Sequence, residues 1–108
     1  MTQYQIKERI SSRVIAKGSD SDNTVLPFEG NLYFTPEAVN MENLRVTDRL
    51  YTCPYKGVCH WVDLVTPEGT QATNVGWVYR NPKPGYENIK DRIAFYNRAT
   101  SGTIAETV

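Results

Sequence analysis

The segment Tyr51–Trp61, YTCPYKGVCHW, places two thiols, an ammonium, an imidazole and three aromatic rings within eleven residues. Cys53 and Cys59 are the only cysteines of the chain and His60 its only histidine. Three chemistries compete for such a stretch. The first is metal binding, since Cys53, Cys59 and His60 read C-x5-C-H. Structural zinc takes four tetrahedral ligands from well-spaced pairs, and adjacent residues of a strand, here Cys59 and His60, face opposite sides. No metal site is therefore assigned, and Cys59 is read as a core cysteine. The second is nucleophilic chemistry at Cys53. A thiolate attacks far better than a thiol, and a nearby cation lowers the thiol pKa. Lys56, three residues on across a turn, is the candidate activator, and backbone N–H groups around Gly57 are candidate anion donors. The third is structural: Cys53 in the core, Pro54–Gly57 a turn, and Lys56 solvated or paired with a carboxylate such as Glu29.

A second constellation is aromatic. Tyr33, Tyr51, Tyr55, Trp61, Trp77 and Tyr79 recur near one another in the chain. Side chains alternate along a strand, so Trp77 and Tyr79 share one face, with Val75 predicted on the same side. Tyr and Trp pair an apolar body with a polar tip, which suits half-exposed pockets. With Glu29 and Lys56 as convergent charges, a cleft lined by Glu29, Tyr33, Cys53, Lys56, Trp77 and Tyr79 is the expected ligand site. The competing account is that the rings simply fill the core of a small β domain.

Positioning these residues falls to short strands. Ser12–Gly18, with β-branched Val14 and Ile15, is strand-like, and Ser19–Asn23 is turn-rich. TVLPFE and LYF flank Gly30–Asn31, read as a two-residue hairpin turn with Gly30 at positive φ. Pro27 has no N–H to give a ladder, which predicts an edge strand or a bulge. Thr35–Leu44 reads as one or two helical turns, with Thr35 as N-cap and Pro36 in the first helical position. DRLYTC and VCHWVDLVT are strands joined by PYKG, and ATNVGWVYR is a strand entered through Pro67–Thr70. NPKPG is a loop. Tyr86, Ile89, Ile93 and Tyr96 match a helical stripe, yet IAFY alone fits a strand. Residues 1–9 and 99–108 are expected to be peripheral and 13–96 the core. Closely spaced strands and turns define a single, mainly β domain spanning 1–108.

The bulk properties bound the rest. A chain of 108 residues fits one domain. Twelve basic residues balance twelve acidic ones, so there is no net field to draw the protein to nucleic acid or anionic lipid. The N-terminal MTQYQIKERISSRV lacks the apolar stretch of a signal peptide, and no apolar run approaches the ~20 residues that cross a bilayer. A soluble, cytoplasmic protein with reduced thiols is the expectation.

Four segments in this order, EGNLYF (Glu29–Phe34), TCPYKG (Thr52–Gly57), WVYRNPKP (Trp77–Pro84) and IKDRIAFY (Ile89–Tyr96), resemble the DUF427 family of small domains without assigned function. The likeness runs from about Arg13 to Tyr96. It implies an Mss4-like, or β-tent, architecture of coiled antiparallel sheets over a cleft. Some β-tent relatives hold zinc through paired Cys-x-x-Cys motifs, and some bind small ligands or modified peptides in an aromatic cage. This chain has no Cys-x-x-Cys, so the zinc does not carry over, and His60 lies outside the family pattern. The family has also been labelled nucleotidyltransferase-like. In KGSDSDN (Lys17–Asn23), however, Asp20 and Asp22 follow the Gly-Ser at once, where metal-binding carboxylates would stand some ten residues away. No phosphate-binding glycine loop occurs either. The leading expectation is a non-enzymatic binding module for a small polar or modified-peptide ligand, with no cofactor. The alternative is an enzyme with Cys53 as nucleophile activated by Lys56. A third option is an interaction domain using a free sheet edge.

Overall fold

The computed structural model describes residues 2–108. Nine strands, β1 Gln3–Glu8, β2 Val14–Ser19, β3 Val25–Phe28, β4 Asn31–Phe34, β5 Leu44–Cys53, β6 Gly57–Thr66, β7 Gly69–Val78, β8 Ile93–Tyr96 and β9 Thr103–Thr107, form two sheets. The small sheet has the order β2-β1-β9 and the large one β3-β4-β8-β7-β6-β5, and every strand pairing is antiparallel. Three short 3₁₀ turns, Pro36–Ala38, Met41–Asn43 and Glu87–Ile89, interrupt the strands.

The large sheet is buried on both faces near its middle. In β4, Leu32 and Phe34 pack into a core shared with Ile6 and Ile15 of the small sheet, together with Val62, Leu64, Val78, Ile93 and Phe95. Tyr33, between them in sequence, joins Cys59, Trp77, Tyr79 and Ala94 in a second cluster made from the large sheet and the segment preceding β8. A strand covered on both sides reads as a continuous apolar run and not as an alternation, which is why NLYF and IAFY carry no period-2 signal. IAFY is strand β8, and the helical stripe through Tyr86 is not a helix: a 3₁₀ turn ends at Ile89 before the strand begins.

The termini correct the sequence expectation most clearly. Residues 3–8 form β1, the central strand of the small sheet, and residues 103–107 form β9 beside it. Tyr4, Ile6 and Glu8 alternate inward along QYQIKE, with Ile6 and Glu8 fully buried. The core therefore reaches beyond 13–96. Glu8 is tolerated there because its carboxylate accepts from the backbone N–H groups of Ile10 and Ser11 and from Gln71 Nε2 at 2.6 Å. Such donors satisfy a buried charge.

Two further differences bear on the site. The β3–β4 turn consists of Glu29 and Gly30, not Gly30–Asn31, because Phe28 pairs with Asn31. Both turn residues have positive φ, 52° at Glu29 and 81° at Gly30. That is the signature of a type I′ turn, whose twist suits a tight hairpin but which disfavours a residue such as Glu. Val75 packs in the main core and not beside Trp77 and Tyr79. The β6–β7 register shifts between Val62 and Leu64, and Asn74 opposite this break has φ 55°. Buried Asp63 holds the irregularity by accepting from Asn74 N at 3.0 Å and pairing with Arg49. As Pro27 requires, β3 is an edge strand.

Candidate ligand-binding pocket

The β5–β6 hairpin builds half of the site. Cys53 pairs with Gly57 and Tyr51 with Cys59, so Tyr51, Cys53, Cys59 and Trp61 project from one face. Trp61 sits directly opposite Trp77 of β7, which in turn sits opposite Ala94 of β8. Close approach of β7 to β8 requires glycine at 76, where an added Cβ would lie 2.3 Å from the Ala94 carbonyl oxygen. Tyr33 and Asn31 of β4 and Tyr96 of β8 complete the wall. Together Asn31, Tyr33, Tyr51, Cys53, Lys56, Cys59, Trp61, Trp77, Tyr79 and Tyr96 line a pocket of about 360 Å³.

The rings meet edge to face, which aromatic quadrupoles favour. Trp77 is perpendicular to Tyr33 (84°) and to Trp61 (82°), and its centroid lies 4.9 Å from that of Tyr96. Trp77 Nε1 donates to the Tyr33 hydroxyl at 3.2 Å, so the indole is fixed by a polar contact as well as by packing. At the outer wall the Arg98 guanidinium lies 4.6 Å from the Tyr96 ring centre.

The mouth carries the charges. Lys56 Nζ pairs with Glu29 Oε1 at 2.5 Å and lies 4.0 Å from Cys53 Sγ. Lys56 N donates to the same sulfur at 3.5 Å. Cys53 thus occupies the head of its turn as Asp, Asn or Ser commonly does, with turn N–H groups curled onto its side chain. The Asn81–Gly85 loop buttresses this turn: Lys83 N donates to Lys56 O at 2.8 Å and Lys83 Nζ to Pro54 O at 3.0 Å. Sequence reasoning placed anion donors around Gly57. The donors belong instead to Tyr55 and Lys56, and they serve the sulfur itself.

The two thiols differ for this reason. Burial raises the Cys53 pKa, but the backbone N–H groups of Lys56 and Tyr55, the Lys56 charge and the Tyr79 hydroxyl outweigh it, leaving the thiol below its usual range. Cys59 has no such turn, and burial holds it above that range despite a contact from Tyr79. Burial also raises Tyr33 and Tyr79, so both phenols stay protonated. Lys56 resists its own desolvation through Glu29 and remains charged.

Of the six residues named from sequence, Tyr33, Cys53, Lys56, Trp77 and Tyr79 line this one pocket; Glu29 does not, and reaches it only through Lys56. Sequence reasoning left out Asn31, Tyr51, Cys59, Trp61 and Tyr96. Three of these were readable: once PYK is a three-residue turn, cross-strand pairing puts Tyr51, Cys59 and Trp61 on the face of Cys53. Asn31 and Tyr96, paired across β4 and β8, come from strands distant in sequence, and no local signal joins them to the hairpin. Tyr55 is 73% exposed at the turn tip and outside the pocket. His60 turns away, its Nδ1 2.8 Å from the Thr47 carbonyl oxygen. Among the described residues no three His, Cys, Asp or Glu side chains gather as a metal site. In the KGSDSDN turn, Asp22 accepts from Thr24 Oγ1 at 2.6 Å, and the Ser19 and Ser21 hydroxyls bond each other at 2.8 Å. Those groups are spent on the turn.

Two coiled antiparallel sheets, the larger one presenting a ring-lined pocket, define a β-tent domain of the Mss4 and Yippee type. A crystal structure of the Mis18 "Yippee-like" domain shares this fold, with a TM-score of 0.64 at 13% identity over 98% of this chain and 97% of that one. No curated protein matches the chain. The chain belongs to the family described as "Domain of unknown function (DUF427)", whose model matches residues 2–106. No helix among the described residues is long and apolar enough to cross a membrane.

Proposed function

We propose that the chain is a small non-enzymatic binding module whose aromatic pocket receives a small polar molecule or a modified peptide side chain. The observation that carries this reading is the set of rings around one open hollow of about 360 Å³, to which five strands, β4 to β8, each contribute a ring. Ligand sites typically combine such apolar walls with a few placed polar groups, here the Asn31 amide, the Lys56 ammonium and the phenol tips. An enzyme built on Cys53 finds less support. Sulfur and ammonium are adjacent, yet neither a histidine nor a carboxylate is among the lining residues to move protons between reacting groups. The balanced charge favours a small-molecule or peptide partner over nucleic acid or membrane. Two free thiols suit a reducing compartment such as the cytoplasm.

Titration of Trp fluorescence with a panel of metabolites and modified peptides tests the reading, because Trp61 and Trp77 both face the hollow. Saturable quenching that Trp61→Ala abolishes is expected for at least one compound. A flat response across neutral, cationic and anionic members, with the protein folded, would remove the proposal.

A further inference from the structure

The charges around the pocket say more about its occupant, and about what happens to it. Resting on the binding reading above, we infer that Cys53 is a preformed nucleophile and that the pocket captures soft, planar, conjugated electrophiles such as aryl enones or quinones as thioethers on its sulfur.

Four observations converge. Cys53 Sγ lies at the pocket wall, half-buried, and receives the Lys56 N–H at 3.5 Å with the Lys56 ammonium 4.0 Å away. Both contacts favour the thiolate, the form that attacks. The surrounding walls, Tyr51, Trp61, Trp77 and Tyr96, are rings, and a flat conjugated body stacks or packs edge-on against rings. No carboxylate lines the pocket, and its one ammonium is already matched by Glu29. The charges therefore call for no ionic partner. Rings by themselves can hold a cation as well as a neutral body, and it is the sulfur beside them that selects an electrophile. Finally, the second thiol in the same hollow is in the opposite state: Cys59 is 1% exposed and surrounded by rings, so the chemistry is confined to one sulfur.

The step balances without an added reagent. The thiol proton leaves to solvent, and the sulfur lone pair forms the S–C bond at the β-carbon of the acceptor. The C=C π pair moves onto the conjugated oxygen, and that enolate takes a proton from solvent. Lys56 steadies the thiolate beforehand and the developing oxyanion afterwards. No group departs, and with an enone the reverse elimination releases the ligand unchanged. This is capture without turnover, in keeping with the lack of a proton-shuttling pair.

N-phenylmaleimide and N-methylmaleimide carry the same acceptor with and without a ring, and intact-mass kinetics at neutral pH reads the adduct. The pocket is expected to favour the phenyl reagent by about tenfold more than glutathione does, the size of effect that holding a reactant beside its nucleophile readily supplies. Peptide mapping should place the adduct on Cys53. Lys56→Met should slow both reagents alike, whereas Trp61→Ala should remove only the phenyl preference, each variant being checked for native circular dichroism. Equal selectivity in protein and glutathione, or an adduct on Cys59, overturns the inference. Binding of N-phenylsuccinimide, which has the ring but no acceptor, separates the two claims. If it quenches Trp fluorescence saturably while the maleimides show no selectivity, the pocket binds but does not capture. If it fails as well, the capture of conjugated electrophiles falls, and the wider binding reading is decided by the compound panel above.

Discussion

The two faces of the six-stranded sheet bury side chains of opposite character, although the same strands supply both. The back face meets the small sheet and is aliphatic with two phenylalanines, Phe34 and Phe95, whose centroids lie 6.0 Å apart. The front face holds phenols, indoles and thiols, and it is covered only in part, by the segment that carries Tyr86 and Ile89, which leaves the pocket open. Apolar groups without polar tips are best placed where water is excluded on every side. Rings with a hydroxyl or N–H can keep one edge wet. Folding free energy is therefore concentrated behind the sheet, and chemistry in front of it. Neighbouring residues of one strand should then fail in different ways when truncated.

Phe95 and Tyr96 put this to the sharpest trial. Phe95→Ala empties a fully buried site in the back core and should cost about 3–5 kcal/mol. Urea denaturation would show it as a large fall in midpoint. Tyr96→Ala removes a half-buried ring from the pocket wall and should cost about 1 kcal/mol, chiefly its edge contact with Trp77. It should nevertheless weaken ligand binding in the fluorescence titration, whereas the surviving folded fraction of Phe95→Ala should still bind. Equal losses of stability would mean that the front cluster is as much a part of the folding core as the back.

Glu8→Gln comes next in size and concerns a carboxylate of the small sheet that is only 2% exposed and accepts from Gln71 of β7. Burial by itself would raise the Glu8 pKa, but the N–H groups of Ser11 and Ile10, then Gln71 and Arg13, pull it below the usual glutamate value. A group with a depressed folded pKa stabilises fully above its unfolded pKa, about 4.3, and that stability is lost as pH falls through the folded value. Glu8→Gln should cost about 2 kcal/mol at neutral pH, and the gap to the wild type should narrow in acid below about pH 4. A gap that stays constant in thermal melts down to pH 3 would show that the charge contributes nothing there.

How much of this was legible in the chain follows the same division between faces. The hairpin Tyr51–Trp61 could be read because its pairing partners are close in sequence and its turn is marked by Pro54 and Gly57. The joining of Trp77 and Tyr79 to Cys53 and Lys56 was reached from composition and motif order, and it is the strand order β7-β6-β5 that makes it physical. The termini were misread because QYQIKE looks charged; its inward set is Tyr4, Ile6 and Glu8, and a buried carboxylate with good donors imitates a surface residue in sequence. Val75 was misplaced because strict alternation fails at a bulge, and the bulge is held by a tertiary contact, Asp63 to Asn74, that no local pattern announces. A pair between Glu29 and Lys56 was one of two options for the lysine and is the one present, yet the turn position of Glu29 was missed, since glutamate is a poor candidate for positive φ.

That misfit provides the smallest and most pointed prediction. Glu29 holds φ 52° in a turn that prefers Asn, and its side chain pairs with Lys56 while remaining about half exposed. Relief of backbone strain should be worth about 0.5–1 kcal/mol, and a pair this exposed contributes at most about 1 kcal/mol after screening. Glu29→Asn should thus change stability by less than 1 kcal/mol, a small sum of opposing terms. Its effect on chemistry should be larger. Without the carboxylate, the Lys56 ammonium loses its stronger partner and turns its full field on Cys53 Sγ, 4.0 Å away. The Cys53 pKa should fall further, whereas Lys56→Met should raise it, because the Lys56 charge is one of the causes that now hold it down. Thiolate absorbance followed against pH reads both shifts, and Cys59 titrates separately at higher pH. Opposite displacements would assign Glu29 the role of holding back the lysine. Displacements of the same sign, or none, would mean that the turn N–H groups alone set the state of the sulfur, with the front face owing its chemistry to backbone and not to charge.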